Sequence, residues 1–495
     1  MTLPPAPKAR LIVGLEIHVQ LRTATKLFCG CAVRFGAPPN SLTCPVCLGH
    51  PGALPVLNRE ALRCAAKTAM ALGCRILPRT SWDRKSYWYP DLPKNYQISQ
   101  NEFPVGLEGA VELPRADGSV KTVRIRRVHL EEDAGKSLHD APDATLVDLN
   151  RAGTALLEIV TAPDIASPEE AGDLAREIRR IVRYLGVADA DMQKGHMRLE
   201  PNVNCAVELD GAEARTPIVE IKNLNSFRAL EAAVAFEFER QTAAYLADPA
   251  YTLERRGKES RGWDEAALAT FVQRRKEEAH ESRCFPDPDL APYEWIAGEL
   301  DELARETPEL PQARRRRLAR ELGIGQGDAL LIAEDRATGD LFEAAVAAGA
   351  CPQTLAKHFI NLWTRLAKDA GTTIAGLKLD AGALAELARL QTDGAVSATA
   401  ARLIAEAMAR TRAAPRALAQ RLGLTRLSDR TALLPLVKEA IAANPKAAAQ
   451  YRAGGGKAAK SLGFLQGRVM RLSGGRADPA VAAALLREEL GPQLG

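Results

Sequence analysis

No stretch of this 495-residue chain approaches the ~20 apolar residues needed to cross a bilayer, and none following the opening MTLPPAPKAR would serve as a secretory leader. A soluble protein with a cytoplasmic setting is therefore expected. Strong bulk charge is also lacking: 66 basic against 62 acidic residues leave a formal net charge of +4, so composition alone does not announce a nucleic-acid binder. There is no G-x-x-x-x-G-K-[ST] and no G-x-G-x-x-G behind a strand, so any ATP site is neither a P-loop nor a Rossmann turn. The absence of G-x-S-x-G, and of a clear Ser/His/Asp order, excludes a recognisable amidase or glutaminase nucleophile. No fixed-period repeat points to a solenoid.

What is present is an ordinary globular composition, 46% hydrophobic and 26% charged, long enough for about three domains. The texture changes near residue 295. Before it, ARLIVGLEIHVQL alternates as a strand, with Leu15, Ile17 and Val19 on one face and Glu16, His18 and Gln20 on the other. KTVRIRRVHLEED, TLVDLNRAGTALLEIV, RLEPNVNCAVEL and TPIVEIKNL read as further strands. Ser167, Pro168 and Glu170 form a helix start, with Gly186 as its stop. Beyond residue 295, Ala-, Leu-, Arg- and Glu-rich segments predict helices throughout. The expected class is α+β: an N-terminal domain (1–294) with a largely antiparallel sheet and flanking helices, an all-α domain (295–412) and a small helical tail (413–495).

Four of nine cysteines lie in FCGCAVRFGAPPNSLTCPVC: Cys29 and Cys31, then Cys44 and Cys47. Paired thiols on two turns suit a closed tetrahedral Zn²⁺ site, which has no position for substrate. The rivals are two disulfides or a redox pair at Cys44 and Cys47, and a reducing compartment favours the metal. Cys64, Cys74, Cys205, Cys284 and Cys351 are scattered singly and read as buried small hydrophobes.

Glu16 and His18 share a strand face; HLEEDAGK adds His129, Glu131, Glu132 and Asp133, and Glu158 interrupts the apolar ALLEIV. Acids and a histidine on one sheet can hold Mg²⁺ together with phosphate oxygens. Pairing with Arg124, Arg126 and Arg127 as structural ion pairs is the alternative. WDRKSYWYPDLPKNYQISQ sets Arg84, Lys85 and Lys94 among Tyr87, Trp88, Tyr89 and Tyr96, which suits a phosphorylated ligand or a rigid, locally packed loop equally. Near the C-terminus, Lys457, Lys460, Arg468, Arg471 and Arg476 form a basic stripe.

Long ordered motifs, VGLEIHVQL, FGAPPNS, DRKSYWYPDLPKNYQISQ, HLEEDAGKS, LVDLNRAGTALLEIVTAPDI, EIKNLNSF, FPDPDL and LGFLQGRVM, give the chain a resemblance to the B subunits of the bacterial tRNA-dependent amidotransferases, GatCAB. The resemblance implies a cradle domain in which ATP and Mg²⁺ phosphorylate the side-chain carboxylate of Glu-tRNA(Gln) or Asp-tRNA(Asn). Ammonia, made by the GatA glutaminase of a complex that also contains GatC, would then displace phosphate. It places Mg²⁺ on Glu16, His18, Glu132 and Glu158, ATP or phosphate on Arg84, Lys85, Tyr87 and Lys94, a zinc knuckle at 29–47, and mischarged tRNA on the basic tail. One departure stands out. MQKGHMRLEPNVN carries Gln193 and Lys194 where the resemblance implies a Glu-Glu-Gly run, and Glu200 where it implies the aspartate of an Arg-x-Asp-x-Asn strand, one methylene shorter, leaving the role of Glu200 open. Two alternatives are a non-catalytic tRNA-holding scaffold and a free-standing ligase for a small carboxylic acid. A scaffold has no need of acids on an inner sheet face, and a small substrate no need of about 200 further helical residues.

Overall fold

The computed structural model describes residues 8–115, 119–141, 143–209, 211–275 and 284–491. It resolves into two compact units, Met1–Leu310 and Pro311–Gly495. The strands that position the site are β1 (Lys8–Gln20), β2 (Asp83–Ser86), β3 (Tyr96–Ser99), β4 (Gly106–Pro114), β5 (Val120–Glu132) and β6 (Ala155–Thr161), then β7 (Met197–Leu209), β8 (Ile218–Lys222), β9 (Lys258–Asp264), β10 (Ala269–Arg275) and β11 (Cys284–Pro286). A ten-stranded sheet runs β10-β9-β8-β7-β1-β6-β5-β4, with Arg75–Ile76 at its edge and Ala212–Arg215 beside β7. Among its pairings only β8 with β9 is parallel, so the largely antiparallel sheet expected from the sequence is what forms.

One face of this sheet is dry. Leu15, Ile17 and Val19 of β1 join Val128, Leu130, Leu157, Ile159 and Leu199 in a single apolar cluster with residues of α1 (Arg59–Ala71), α2 (Pro168–Tyr184) and α3 (Phe227–Ala247). The alternation of β1 thus has its physical cause: every second side chain enters a core, leaving Glu16, His18 and Gln20 on the open face. The start of α2 is as read. Ser167 Oγ accepts from the Glu170 N–H (3.2 Å), Glu170 reaches back to the Ala166 N–H (2.9 Å), and Gly186 takes φ +71° after the last turn.

In the second unit, two apolar clusters run from Leu318 to Ala419 and from Leu433 to Leu490. Its elements are helical, including α4 (Ala458–Leu472). Among the described residues no helix is long and apolar enough to cross a membrane.

Candidate active site

Register builds the site. Antiparallel pairing sets His129 of β5 opposite Glu158 of β6, Glu158 opposite His18 of β1, and His18 opposite Arg198 of β7. Directly paired residues face the same side with Cβ atoms about 5 Å apart, so one row of four polar side chains crosses the open face. Glu131, two residues beyond His129, shares that side. His18 Nε2 lies 3.5 Å from Glu158 and 3.8 Å from Glu131; His129 Nε2 lies 3.1 and 3.6 Å from the same two acids. A second group forms one row along: Glu16 opposite Glu200, with Glu220 beside them on β8. Each group, His18–Glu131–Glu158 and Glu16–Glu200–Glu220, brings its ligand atoms within 4.8 Å of one another.

Electrostatics follow from this crowding. Burial alone would lower the His18 pKa, but its hydrogen bond to Glu158 and the charges of Glu158, Glu131 and Glu200 outweigh it and lift it to about 9. Burial would raise Glu158, yet His129 and His18 hold it well below the usual carboxylate range. Glu16 is pushed up, first by burial and then by Glu158, Glu220 and Glu200. Lys222 Nζ bridges Glu200 (2.7 Å) and Glu220 (3.2 Å), Asn202 donates to Glu16 (3.0 Å), and Ser260 donates to Glu220 (2.8 Å). The donor sets, two carboxylates with an imidazole and three carboxylates, fit hard divalent cations. Nδ1 of both His18 and His129 is buried without a hydrogen-bond partner among the described residues, leaving their Nε2 atoms to face the acids.

These groups floor a cleft of about 600 Å³. Its wall is the small sheet β11-β2-β3, which supplies Lys85 and Ser99; Ser99 Oγ donates to Glu131 (3.2 Å). A β-bulge where β5 leaves register with β6 turns both Arg126 and Arg127 into the cleft. The pairing of the cleft acids with these arginines does not form: Arg124 binds Asp164 (2.7 and 2.8 Å), and Arg126 and Arg127 have no acid partner among the described residues.

The other expected residues fall as follows. Glu16, His18 and Glu158 enter the cleft; Glu132 does not. It sits on the opposite side of β5 from Glu131, in a buried ion pair with Lys94. There its Oε2 accepts from the Ile98 N–H (3.1 Å). Arg84 is engaged by Asp287 (2.9 Å) and Asp289 (2.7 Å) and lies over the Tyr96 ring, while Tyr87 is half-buried, its phenol pushed up by burial and by Glu131, Asp91 and Asp133. Glu220, Arg126 and Arg127 were missed as cleft residues. Glu220 had a signal, since Val219 and Ile221 alternate with Glu220 and Lys222 along β8.

Cys29, Cys31, Cys44 and Cys47 converge with their thiols within 4.8 Å and none in a disulfide. The Cys44–Cys47 Sγ separation of 3.9 Å is close to the about 3.8 Å spanned by two thiolates on one tetrahedral ion at about 2.3 Å each. The buried Lys26 ammonium lies 3.5 Å from Cys47 Sγ, and hydrogen bonding by Cys29 brings Cys47 down to about 4 while burial takes Cys31 to about 11. The four thiols therefore fit a metal. Of the single cysteines, Cys64, Cys74 and Cys205 are buried as expected, but Cys284 is exposed on the short edge strand β11 and Cys351 is half-exposed.

In the tail, Lys460, Arg468 and Arg471 share one face of α4 with Phe464, and Lys457 immediately precedes it. The Arg468 guanidinium lies 5.8 Å from the Phe464 ring. Arg476 is occupied otherwise, donating to the Ser473 (3.0 Å) and Gly423 (3.4 Å) carbonyls.

Fold and cleft together define an enzyme of α+β architecture whose paired acid clusters can hold divalent cations. The GatB/GatE catalytic domain family matches residues 11–299, and a GatB domain matches residues 340–490. The B subunit of the aspartyl/glutamyl-tRNA(Asn/Gln) amidotransferase of a Picosynechococcus strain is 42% identical over 500 residues, covering 98% of this chain and 99% of the relative. Its counterpart from Thermosynechococcus vestitus is 44% identical (97% and 96% covered), and that from Thermomicrobium roseum 44% (97% and 98%). The chain belongs to the GatB family, the B subunits of the aspartyl/glutamyl-tRNA amidotransferases.

Proposed function

We propose that this chain binds mischarged Glu-tRNA(Gln) or Asp-tRNA(Asn) and phosphorylates the side-chain carboxylate of the esterified amino acid, which is then amidated. The observation that carries this reading is the row His129–Glu158–His18, with Glu131, facing a cleft rimmed by Arg126, Arg127 and Lys85.

A free carboxylate is a poor acyl donor because its leaving group would be oxide. The substrate carboxylate oxygen attacks the γ-phosphorus of ATP, the bond to ADP breaks, and an acyl phosphate results. Ammonia then adds to the carbonyl, phosphate leaves with the bonding pair, and the nitrogen sheds its extra proton to solvent. Mg²⁺ held by His18, Glu131 and Glu158, and by Glu16, Glu200 and Glu220, would neutralise charge on the moving phosphoryl group. Glu200 is assigned to that second set, a reading supported by its carboxylate lying within 4.8 Å of those of Glu16 and Glu220. The acids cannot attract an anionic substrate; Arg126, Arg127 and Lys85 supply that attraction, and Arg84, Lys94 and Tyr87 support the wall behind them.

Because the sequence lacks an amide-hydrolysing nucleophile, ammonia comes from a separate protein. The relatives are named as one subunit of an amidotransferase, which fits a complex, and we assign GatA as the glutaminase and GatC as the third member, working in the cytoplasm with the tRNA. Zn²⁺ on the four cysteines is structural, and Lys457, Lys460, Arg468 and Arg471 contact the tRNA backbone through phosphate and shape. ADP release by the complete amidotransferase, with ATP, Mg²⁺, ammonium and Glu-tRNA(Gln), tests the reading. Tight dependence on the mischarged tRNA supports it; amide formation unaffected by Glu158→Gln would leave the chain a scaffold.

A further inference from the structure

Along the polar face of β1, the next side chain after Glu16 and His18 is Gln20, about 7 Å beyond His18. It opens onto a second cavity, of about 430 Å³, whose lining differs in kind from the acid cleft. Phe35 stands 66% exposed at its mouth, its ring 5.8 Å from and nearly perpendicular to the His196 imidazole, with the Lys194 ammonium 5.8 Å from its centre. Arg34 and Lys136 line the same cavity and have no acid partner among the described residues. Phe35 and Arg34 belong to the loop between the two cysteine pairs. That loop is held at both ends by the thiol cluster and between them by Asn40, which donates its N–H to the Asp148 carboxylate (3.0 Å) and accepts the Leu149 N–H on its side-chain oxygen (2.7 Å).

Resting on the phosphorylation of an aminoacyl-tRNA carboxylate in the acid cleft, we infer that this cavity seats the 3′-terminal nucleoside of that tRNA, with its base on Phe35 and its phosphate toward Arg34, Lys136 and Lys194. The distances agree. A glutamyl or aspartyl side chain spans about 5 Å from ester carbonyl to carboxylate, so a carboxylate lying beside His18 puts its ribose at the level of Gln20. The triphosphate is accounted for elsewhere, because Arg126, Arg127 and Lys85 face the acid cleft. An exposed ring flanked by cations is the usual platform for an unpaired base. The cysteine knuckle then has a purpose: it fixes the loop that carries the platform.

The test uses the complete amidotransferase with Phe35→Ala and Phe35→Trp. Loss of the ring raises the KM for Glu-tRNA(Gln) about tenfold without moving the KM for ATP, and Phe35→Trp restores it. Uncharged tRNA trimmed of its terminal nucleotide competes less well than intact tRNA against the wild type, and equally well against Phe35→Ala. An unchanged KM for Glu-tRNA(Gln) overturns the inference. A rise in the KM for ATP alone also overturns it, assigning the ring to the adenine of ATP and leaving the phosphorylation reading intact. A wild-type enzyme that consumes no ATP with Glu-tRNA(Gln) refutes that reading and this subsite with it.

Discussion

Replacing Glu132 by leucine should destabilise the N-terminal unit without emptying the cleft. Lys94 and Glu132 have only 8% and 4% of their side chains exposed, so the substitution strands a buried ammonium. It also strands the Ile98 N–H, which donates to the same carboxylate oxygen. Breaking one side of a buried pair costs about 3–5 kcal/mol, and an orphaned buried donor, worth about 1–3 kcal/mol by itself, places the loss toward the upper end of that range. At about 2 °C per kcal/mol for a unit of this size, the Tm should fall by about 6–10 °C. The probe is Trp82, which is 1% exposed in the same core and stacks edge-on against Phe28. Lys94→Met alone should cost less, because Glu132 keeps the Ile98 N–H. The double variant should lose less than the sum of the single losses. A fall in Tm below about 2 °C for Glu132→Leu would show that Lys94 reaches water, and would refute the placement of Glu132 on the dry side of β5.

Three further outcomes follow from the same structure. One zinc per chain should be found by metal analysis and lost in Cys44→Ser/Cys47→Ser, with a lower Tm; a disulfide among the four cysteines would contradict the closed site. Neutralising Lys457, Lys460, Arg468 and Arg471 together should weaken tRNA binding and flatten its log–log salt dependence by up to about three units. Arg476→Ala, whose guanidinium caps carbonyls, should lower stability instead. Alkylation at pH 8 should reach the exposed Cys284 and the half-exposed Cys351, whose thiol is held below its ordinary value by the Thr354 N–H, whereas Cys64 and Cys74, both pushed up to about 12 by burial, should react only after unfolding, since the thiolate is the nucleophile. Equal labelling rates would refute those burials.

Legibility tracked the range of the interaction. The alternation of β1, the capped start of α2 and the paired cysteines all depend on neighbours within about twenty residues, and each formed as read. Glu131 and Glu132 are adjacent acids, and the pairing of His129 with Glu158 across β5 and β6 fixes which side of β5 meets His18. Period two counted from His129 selects Glu131, but the end of β5 is buried on both sides, so hydrophobicity gives no contrast there. Arg84 read as a phosphate ligand because its acids, Asp287 and Asp289, lie some 200 residues downstream. The Glu16–Glu200–Glu220 group requires knowing that β7 pairs with both β1 and β8, a sheet order that no local pattern encodes.

The most direct test is amide-tRNA formation by the complete enzyme carrying Glu131→Gln, measured beside Glu132→Gln with ammonium, ATP and Glu-tRNA(Gln). The account predicts a loss of about 10²–10³-fold for Glu131→Gln, and for Glu132→Gln a stability defect with turnover retained below its Tm. Turnover that survives Glu131→Gln but vanishes with Glu132→Gln would put the chemistry on the other face of the strand and contradict it.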